Sequence, residues 1–264
     1  MSRSRIPLIL FLLIGFLFTP LRVTAAPPSD VQADSATLDF PNTITFSATL
    51  TSNAAINSVT LEYGNDQLSC GEVIAKAFPE FTPGTSADVS WTWDMRQSGS
   101  LPPGASIWWR WRYTDEAGNE FTSETQTVIW LDGVHDWQTV SNEDIRIHYY
   151  GKSEDFANTM LDAAVEGLRR NREQAGMTPD APVDIYVYPN YDDMRDAVLY
   201  EPAWTGGQAY SDFNIIIMGL SGSDSTWDKN TVIHELTHIL VGRNAFSCIG
   251  TRPGWLEEGP SSTE

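Results

Sequence analysis

His234-Glu235-Leu236-Thr237-His238 places two histidines four residues apart. On a helix such residues stand one above the other, so both imidazoles can reach a single metal ion. Glu235 lies between them at the edge of that face, where a carboxylate takes a proton from a metal-bound water. Further along, Trp255-Leu256-Glu257-Glu258-Gly259 offers carboxylates from a second segment. One carboxylate from there would complete three protein ligands around an open fourth position, the arrangement of a catalytic zinc centre. The implied chemistry is hydrolysis by a metal-activated water, with Glu235 as the general base.

Spaced at about 100° per residue around a helix from Trp227 to Val241, Val232, Ile233, Leu236, Ile239 and Leu240 fall on one broad stripe. His234 and His238 fall together on the opposite side, with Glu235 at the margin. Core histidines would sit within the apolar stripe, so this placement favours metal ligation. Ser223 to Thr226 offer N-cap residues for the helix, and Gly242 a C-terminal stop.

The segment as a whole, about residues 134 to 259, resembles the gluzincin metallopeptidases, and within them the peptidase MA-like family related to thermolysin and the zinc aminopeptidases. In that family a His-Glu-x-x-His helix is followed by a Trp-Leu-x-Glu-Gly segment whose glutamate is the third zinc ligand. The resemblance implies zinc held by His234, His238 and Glu258, with Glu257 the alternative if the register shifts by one. It implies a peptide or protein substrate, proton transfer through Glu235, and a packing or supporting role for Thr237. It also implies that the strand Asn214 to Leu220 edges the cleft. The family continues into a further helical subdomain, whereas Glu258 lies six residues before Glu264. Pro260 moreover stands where a helix should run on, so the expectation is an incomplete catalytic domain.

The remaining features bound the setting. Ser2-Arg3-Ser4-Arg5, the apolar run of thirteen from Ile6 to Phe18 and the small residues Val23-Thr24-Ala25-Ala26 read as a signal peptide over residues 1–26. Thirteen residues fall short of the roughly 20 that span a bilayer, although an uncleaved anchor remains the alternative. The expected location is secreted or in the cell envelope, with no stable membrane insertion after cleavage. A formal charge of −19, about −22 without the three arginines of the signal segment, repels nucleic acid. Oligomeric state leaves no trace in the sequence. Cys70 and Cys248 are allowed a disulfide in an exported chain; two buried thiols are the alternative, and Cys248 is a weaker ligand candidate than Glu258.

The positioning elements divide near residue 133. From residue 27 to 133, the runs Thr43 to Leu50, Ser58 to Tyr63, Asp88 to Trp93, Ser106 to Tyr113 and Thr127 to Leu131 are rich in β-branched and aromatic residues. They predict an all-β immunoglobulin-like or fibronectin-like sandwich. Ile107, Trp109, Trp111 and Tyr113 alternate with Trp108, Arg110 and Arg112, the period of a half-buried strand. Seven of the ten tryptophans lie from Trp91 to Trp137; they either fill this core and its junction or form a carbohydrate-binding platform. From 134 to 264, strands at Asp144 to Tyr150, Val183 to Tyr188 and Asn214 to Leu220 alternate with helices at Glu154 to Gln174 and Tyr191 to Leu199. This order predicts an α+β domain, zincin-like by the resemblance. Gly176 is the expected cap, and Gly206-Gly207 the opening of a loop. Against the peptidase reading stand a catalytically impaired zincin-like binding module and, on tryptophan density alone, an exported carbohydrate-binding module.

Overall fold

The computed structural model describes residues 30–98, 100–200, 206–222, 225–250, 253 and 259. The segment read as a signal peptide and the two candidate third ligands, Glu257 and Glu258, lie outside them.

The first half of the chain is β-rich. Strands β1 (Asp30–Asp39), β2 (Thr43–Asn65), β3 (Ala75–Ala77) and β4 (Gly84–Asp94) precede a single-turn helix, α1 (Met95–Ser98). Strands β5 (Ala105–Asp115), β6 (Glu120–Thr122) and β7 (Gln126–Trp130) follow. The sequence suggests separate strands at Thr43 to Leu50 and Ser58 to Tyr63, but the chain stays extended through both as β2. Between them lie Thr51 to Asn57, with neither glycine nor proline to turn the backbone, and the pairing register shifts there instead. The first half of β2 pairs with β1 and β4, the second with β3 and β5. Ile44, Phe46 and Leu50 from one half and Ile56, Val59 and Leu61 from the other meet in one core. On β5 the expected alternation holds: Ile107, Trp109, Trp111 and Tyr113 are buried, while Trp108, Arg110 and Arg112 face outward. The Asp115–Asn119 turn forms as read, with Gly118 at φ 79° and Asp115 Oδ1 accepting from the Asn119 amide at 2.9 Å.

The second half is α+β. Strands β8 (Gln138–Ser141) and β9 (Ile145–Tyr149) lead to helix α2 (Glu154–Ala175), strand β10 (Val183–Tyr188) and short helix α3 (Tyr191–Asp196). Strands β11 (Gly207–Tyr210) and β12 (Ile215–Gly219) precede helix α4 (Ser225–Asn244). The sheet order is β11-β12-β10-β9-β8, parallel at its centre and antiparallel at both edges. Helix α2 begins where Ser153 caps the Phe156 amide and ends at Gly176, whose φ of 68° suits glycine.

Alternation along the sheet separates two cores. Ile145, Ile147, Val183, Ile185, Val187, Ile216 and Met218 face α2 and α4. Tyr150, Tyr186, Tyr188, Ile215 and Ile217 face the other way and join the core of the β-rich half. Trp137 sets its edge against Tyr150, Tyr186 and Tyr188 at centroid distances of 4.8, 5.6 and 5.2 Å. Gly104 admits the Tyr186 ring, which a Cβ would meet at 2.1 Å. Trp109, Trp111 and Trp130 fill the β core and Trp137 the junction, as core packing requires, whereas Trp91, Trp93 and Trp108 are half-buried. Cys70 and Cys248 form a disulfide with Cα atoms 5.5 Å apart, tying the β-rich half to the segment beyond α4. Among the described residues no helix is long and apolar enough to cross a membrane.

Candidate metal centre

Helix α4 is held on almost every side. Val232, Ile233, Leu236, Ile239, Leu240 and Val241 are buried, and α2 crosses closely where Gly167 meets Ile233 and Leu236. The stripe read from the sequence is thus buried, and burial extends past it to Glu235, Thr237 and Val241, so the half-buried polar side is narrower than a helical wheel suggests. The sheet, α2 and the loop around Ser211 each cover part of the helix. Gly242 belongs to that packing and is no C-terminal stop: the helix runs on to Asn244, and a Cβ at Gly242 would fall 2.2 Å from the Ser211 Cβ.

Thr237 is fully buried and touches α2. Its Oγ1 accepts from Asn171 Nδ2 at 3.0 Å and donates to the Ile233 carbonyl at 3.0 Å. Asn171 also donates to the Gly167 carbonyl at 3.0 Å. These bonds fix the axial position and rotation of α4 against α2, so Thr237 has a packing role.

The first turns of α4 are exposed, and from Thr231 to Gly242 the open side narrows to a strip through Thr231, His234 and His238. The two histidine rings lie 4.7 Å apart at 82°, and their Nε2 atoms approach to 3.1 Å. Two imidazole nitrogens on one tetrahedral zinc, each at about 2.0–2.1 Å, stand about 3.3 Å apart. The pair therefore fits a shared cation with little adjustment. Glu235 is not at an exposed margin: at 9 % exposure it lies against β11, where a Cβ on Gly207 would meet its Cγ at 3.0 Å and its Oε1 at 3.2 Å.

A cavity of about 290 Å³ opens at this point, lined by Gly206, Gly207, Trp227, Asn230, Thr231, His234 and Glu235. Strand β11, not β12, is the sheet edge beside it. The segment Asn214 to Leu220, expected to edge the cleft, is fully buried between β11 and β10 along Ile215–Gly219. Its unbroken apolar run, Ile215-Ile216-Ile217-Met218, is that of a strand covered on both faces.

Cys248 is spent in the disulfide and is no ligand. Among the described residues no group of three His, Cys, Asp or Glu side chains is placed to hold a metal ion. The structure thus brings together His234, His238 and Glu235, while Glu258 and Glu257 lie outside the described residues. Gly206, Gly207, Trp227 and Asn171 are site or supporting residues that the motif does not flag. For Gly206 and Gly207 the signal was the dipeptide itself: paired glycines ahead of a buried strand can mark close backbone approach as well as a loop. A Cβ on Gly206 would lie 2.7 Å from the Trp227 ring.

Residues 163–263 match the family model described as the Peptidase MA superfamily, which supports a peptidase MA-like domain. No curated protein matches the chain. Among solved structures, the chain is similar to a β-1,3-glucan-binding domain of carbohydrate-binding module family 56, at 18 % identity and TM-score 0.25, covering 38 % of this chain and 98 % of that one. Likeness to OgpA from Akkermansia muciniphila is 13 % identity and TM-score 0.32, over 40 % of this chain and 28 % of that one. Likeness to a polysaccharide deacetylase from Bacillus cereus is 13 % identity and TM-score 0.30, over 69 % of this chain and 58 % of that one. Scores this low carry no argument about function.

Proposed function

We infer that the chain is an exported zinc-dependent peptidase, acting on peptide or protein substrates. The observation that carries this reading is the convergence of His234 and His238 Nε2 atoms to 3.1 Å on a helix whose intervening Glu235 abuts an edge strand. The superfamily match over residues 163–263, a span that includes these residues, supports it. In this reading the second half, from residue 134, is a zincin-like domain of gluzincin type, preceded by an immunoglobulin-like sandwich over residues 27–133.

His234 and His238 would hold the metal, and Glu258 would supply the third ligand. Zinc, when bound, contributes Lewis acidity and a water of lowered pKa. Glu235 accepts a proton at a carboxylate oxygen and later delivers it to the departing amine nitrogen. Its burial against Gly207 holds that carboxylate in one place, which is what proton transfer within hydrogen-bond reach requires. An extended substrate aligns by adding to the β11 edge, where backbone groups supply affinity without reading side chains. Trp227 at 49 % exposure borders the same cavity and gives the substrate an apolar contact.

Cleavage of casein and a peptide library by the purified chain tests this. Glu235→Gln is expected to lower turnover by at least about 100-fold while zinc stays bound, because only the proton carrier is lost. Equal cleavage by wild type and Glu235→Gln would overturn the mechanism. Zinc bound at His234 and His238 with no cleavage of any substrate would instead favour a zincin-like binding module.

A further inference from the structure

The outward face around β5 carries a second constellation that the metal centre does not use. Register places Glu62 between Lys76 on β3 and Arg110 on β5, and the next row aligns Thr60, Arg112 and Thr122. Glu62 is buried and accepts from Arg110 Nε at 2.8 Å and Arg112 Nη1 at 3.0 Å, with Lys76 Nζ 3.8 Å away. Burial raises the pKa of this carboxyl, but the hydrogen bonds from Arg112 and Arg110 outweigh it and hold the pKa below the usual carboxylate range. One fixed negative charge therefore faces three positive ones, in a chain whose net charge is −19.

A concavity of about 210 Å³ opens over Arg112, with Thr60, Thr122, Lys76 and Phe78 in its wall and Glu120 among its lining. Phe78 is 72 % exposed, although nothing in strand packing asks for a bare aromatic ring there. On the same face Trp108 lies against Gly64, where a Cβ would fall 2.7 Å from the indole. From Trp108 to Arg112 the strand advances about 13 Å, a span longer than one sugar ring.

We propose that this face binds an acidic oligosaccharide. An anionic substituent seats on Arg112 and Lys76, sugar hydroxyls meet Thr60 and Thr122, and ring faces rest on Phe78 and Trp108. Arg112 is already oriented by Glu62, so its planar donors are preorganised for a carboxylate or sulfate. The hydroxyls of Ser58, Thr60, Thr114 and Thr122 and the exposed ring of Phe78 are among the lining. A polyanionic protein or nucleic acid would bring its whole field against an acidic surface, whereas a short sugar carries one or a few charges.

Calorimetric titration of the full chain with tri-galacturonate, neutral tri-galactose, a heparin-derived tetrasaccharide and a poly-glutamate peptide tests the assignment. At least one acidic sugar is expected to bind about tenfold or more tighter than the neutral one, and to weaken with added salt. Preference for the heparin fragment identifies the charge as sulfate, and preference for galacturonate as carboxylate. Arg112→Gln is expected to weaken binding about tenfold or more, and Phe78→Ala, at an exposed site that leaves the fold intact, about threefold or more. The assignment is overturned by no binding of either acidic sugar at millimolar concentration or by equal binding of the neutral sugar. Tighter binding of poly-glutamate, or undiminished binding in both variants, overturns it equally.

Discussion

Helices α2 and α4 lie side by side on the same sheet and have opposite characters. Helix α2 shows the sheet Ala157, Met160, Ala164 and Leu168 and shows water a lattice of charges, with Arg169 bridging Glu166 at 2.8 Å and Glu173 at 2.6 Å. Its polar groups are where solvation puts them. From Val232 to Gly242 helix α4 is covered over most of its circumference, yet carries His234, Glu235 and His238 within these buried or half-buried turns. Ionisable groups in such places cost stability unless partnered. In the proposed reading, their presence on the enclosed helix and absence from the corresponding surface of α2 is placement for chemistry rather than for folding.

That contrast can be broken at the point where α4 meets the edge strand. Gly207→Val brings branched carbons into the space of the Glu235 carboxylate, whose Oε1 already lies 3.2 Å from where a Cβ would start. A fall in kcat of about 100-fold is expected with the fold retained, since a displaced base loses its reach; unchanged kcat would show that Glu235 is not held by this contact. Next in size is the covalent tether beyond α4. Cys248→Ser opens a bridge spanning 178 residues and is expected to cost about 2–5 kcal/mol in denaturant unfolding. A loss under about 0.5 kcal/mol would mean that the two halves stabilise each other without it.

The link between the helices comes third. Thr237→Val keeps the shape but removes the acceptor for Asn171, and about 1–2 kcal/mol of stability should go with it. Zinc content should be unaffected, because Thr237 faces α2; loss of metal would instead assign it to the site. Smallest is the end of α2, where Gly176→Ala at φ 68° is expected to cost about 1 kcal/mol with no change in activity. A larger effect on activity than on melting temperature would couple this helix end to the site.

The same contrast explains what could be read in advance. Helix α2 was legible to within a residue at each end, because its period and its Gly176 stop agree. Strand β10 matched Val183 to Tyr188 through its alternating valines and isoleucine. Helix α4 was legible as an element, but its surroundings were not. Neighbours from distant segments narrow the face that a helical wheel leaves polar, so Glu235, read at the margin of that face, lies buried against β11. Gly242 looked like a terminus because a glycine needed for close packing against Ser211 has the same letter as a cap. Strand β11, four residues opened by a glycine, gives too short an alternation to register, and the resemblance alone points to Asn214 to Leu220 as the edge. On β1, the positive φ of 51° at Ala33 and a register shift between Gln32 and Ser35 interrupt the period-two pattern. The partnership of Cys70 with Cys248 depends on how the two halves dock, which composition does not encode.

Zinc stoichiometry of the purified chain bears most directly on the central claim that His234 and His238 share one cation. Elemental analysis after dialysis is expected to give about one zinc per wild-type chain and close to none for His238→Ala, in line with a three-ligand site losing an imidazole. Full zinc occupancy in His238→Ala, with its circular dichroism unchanged, would contradict the claim.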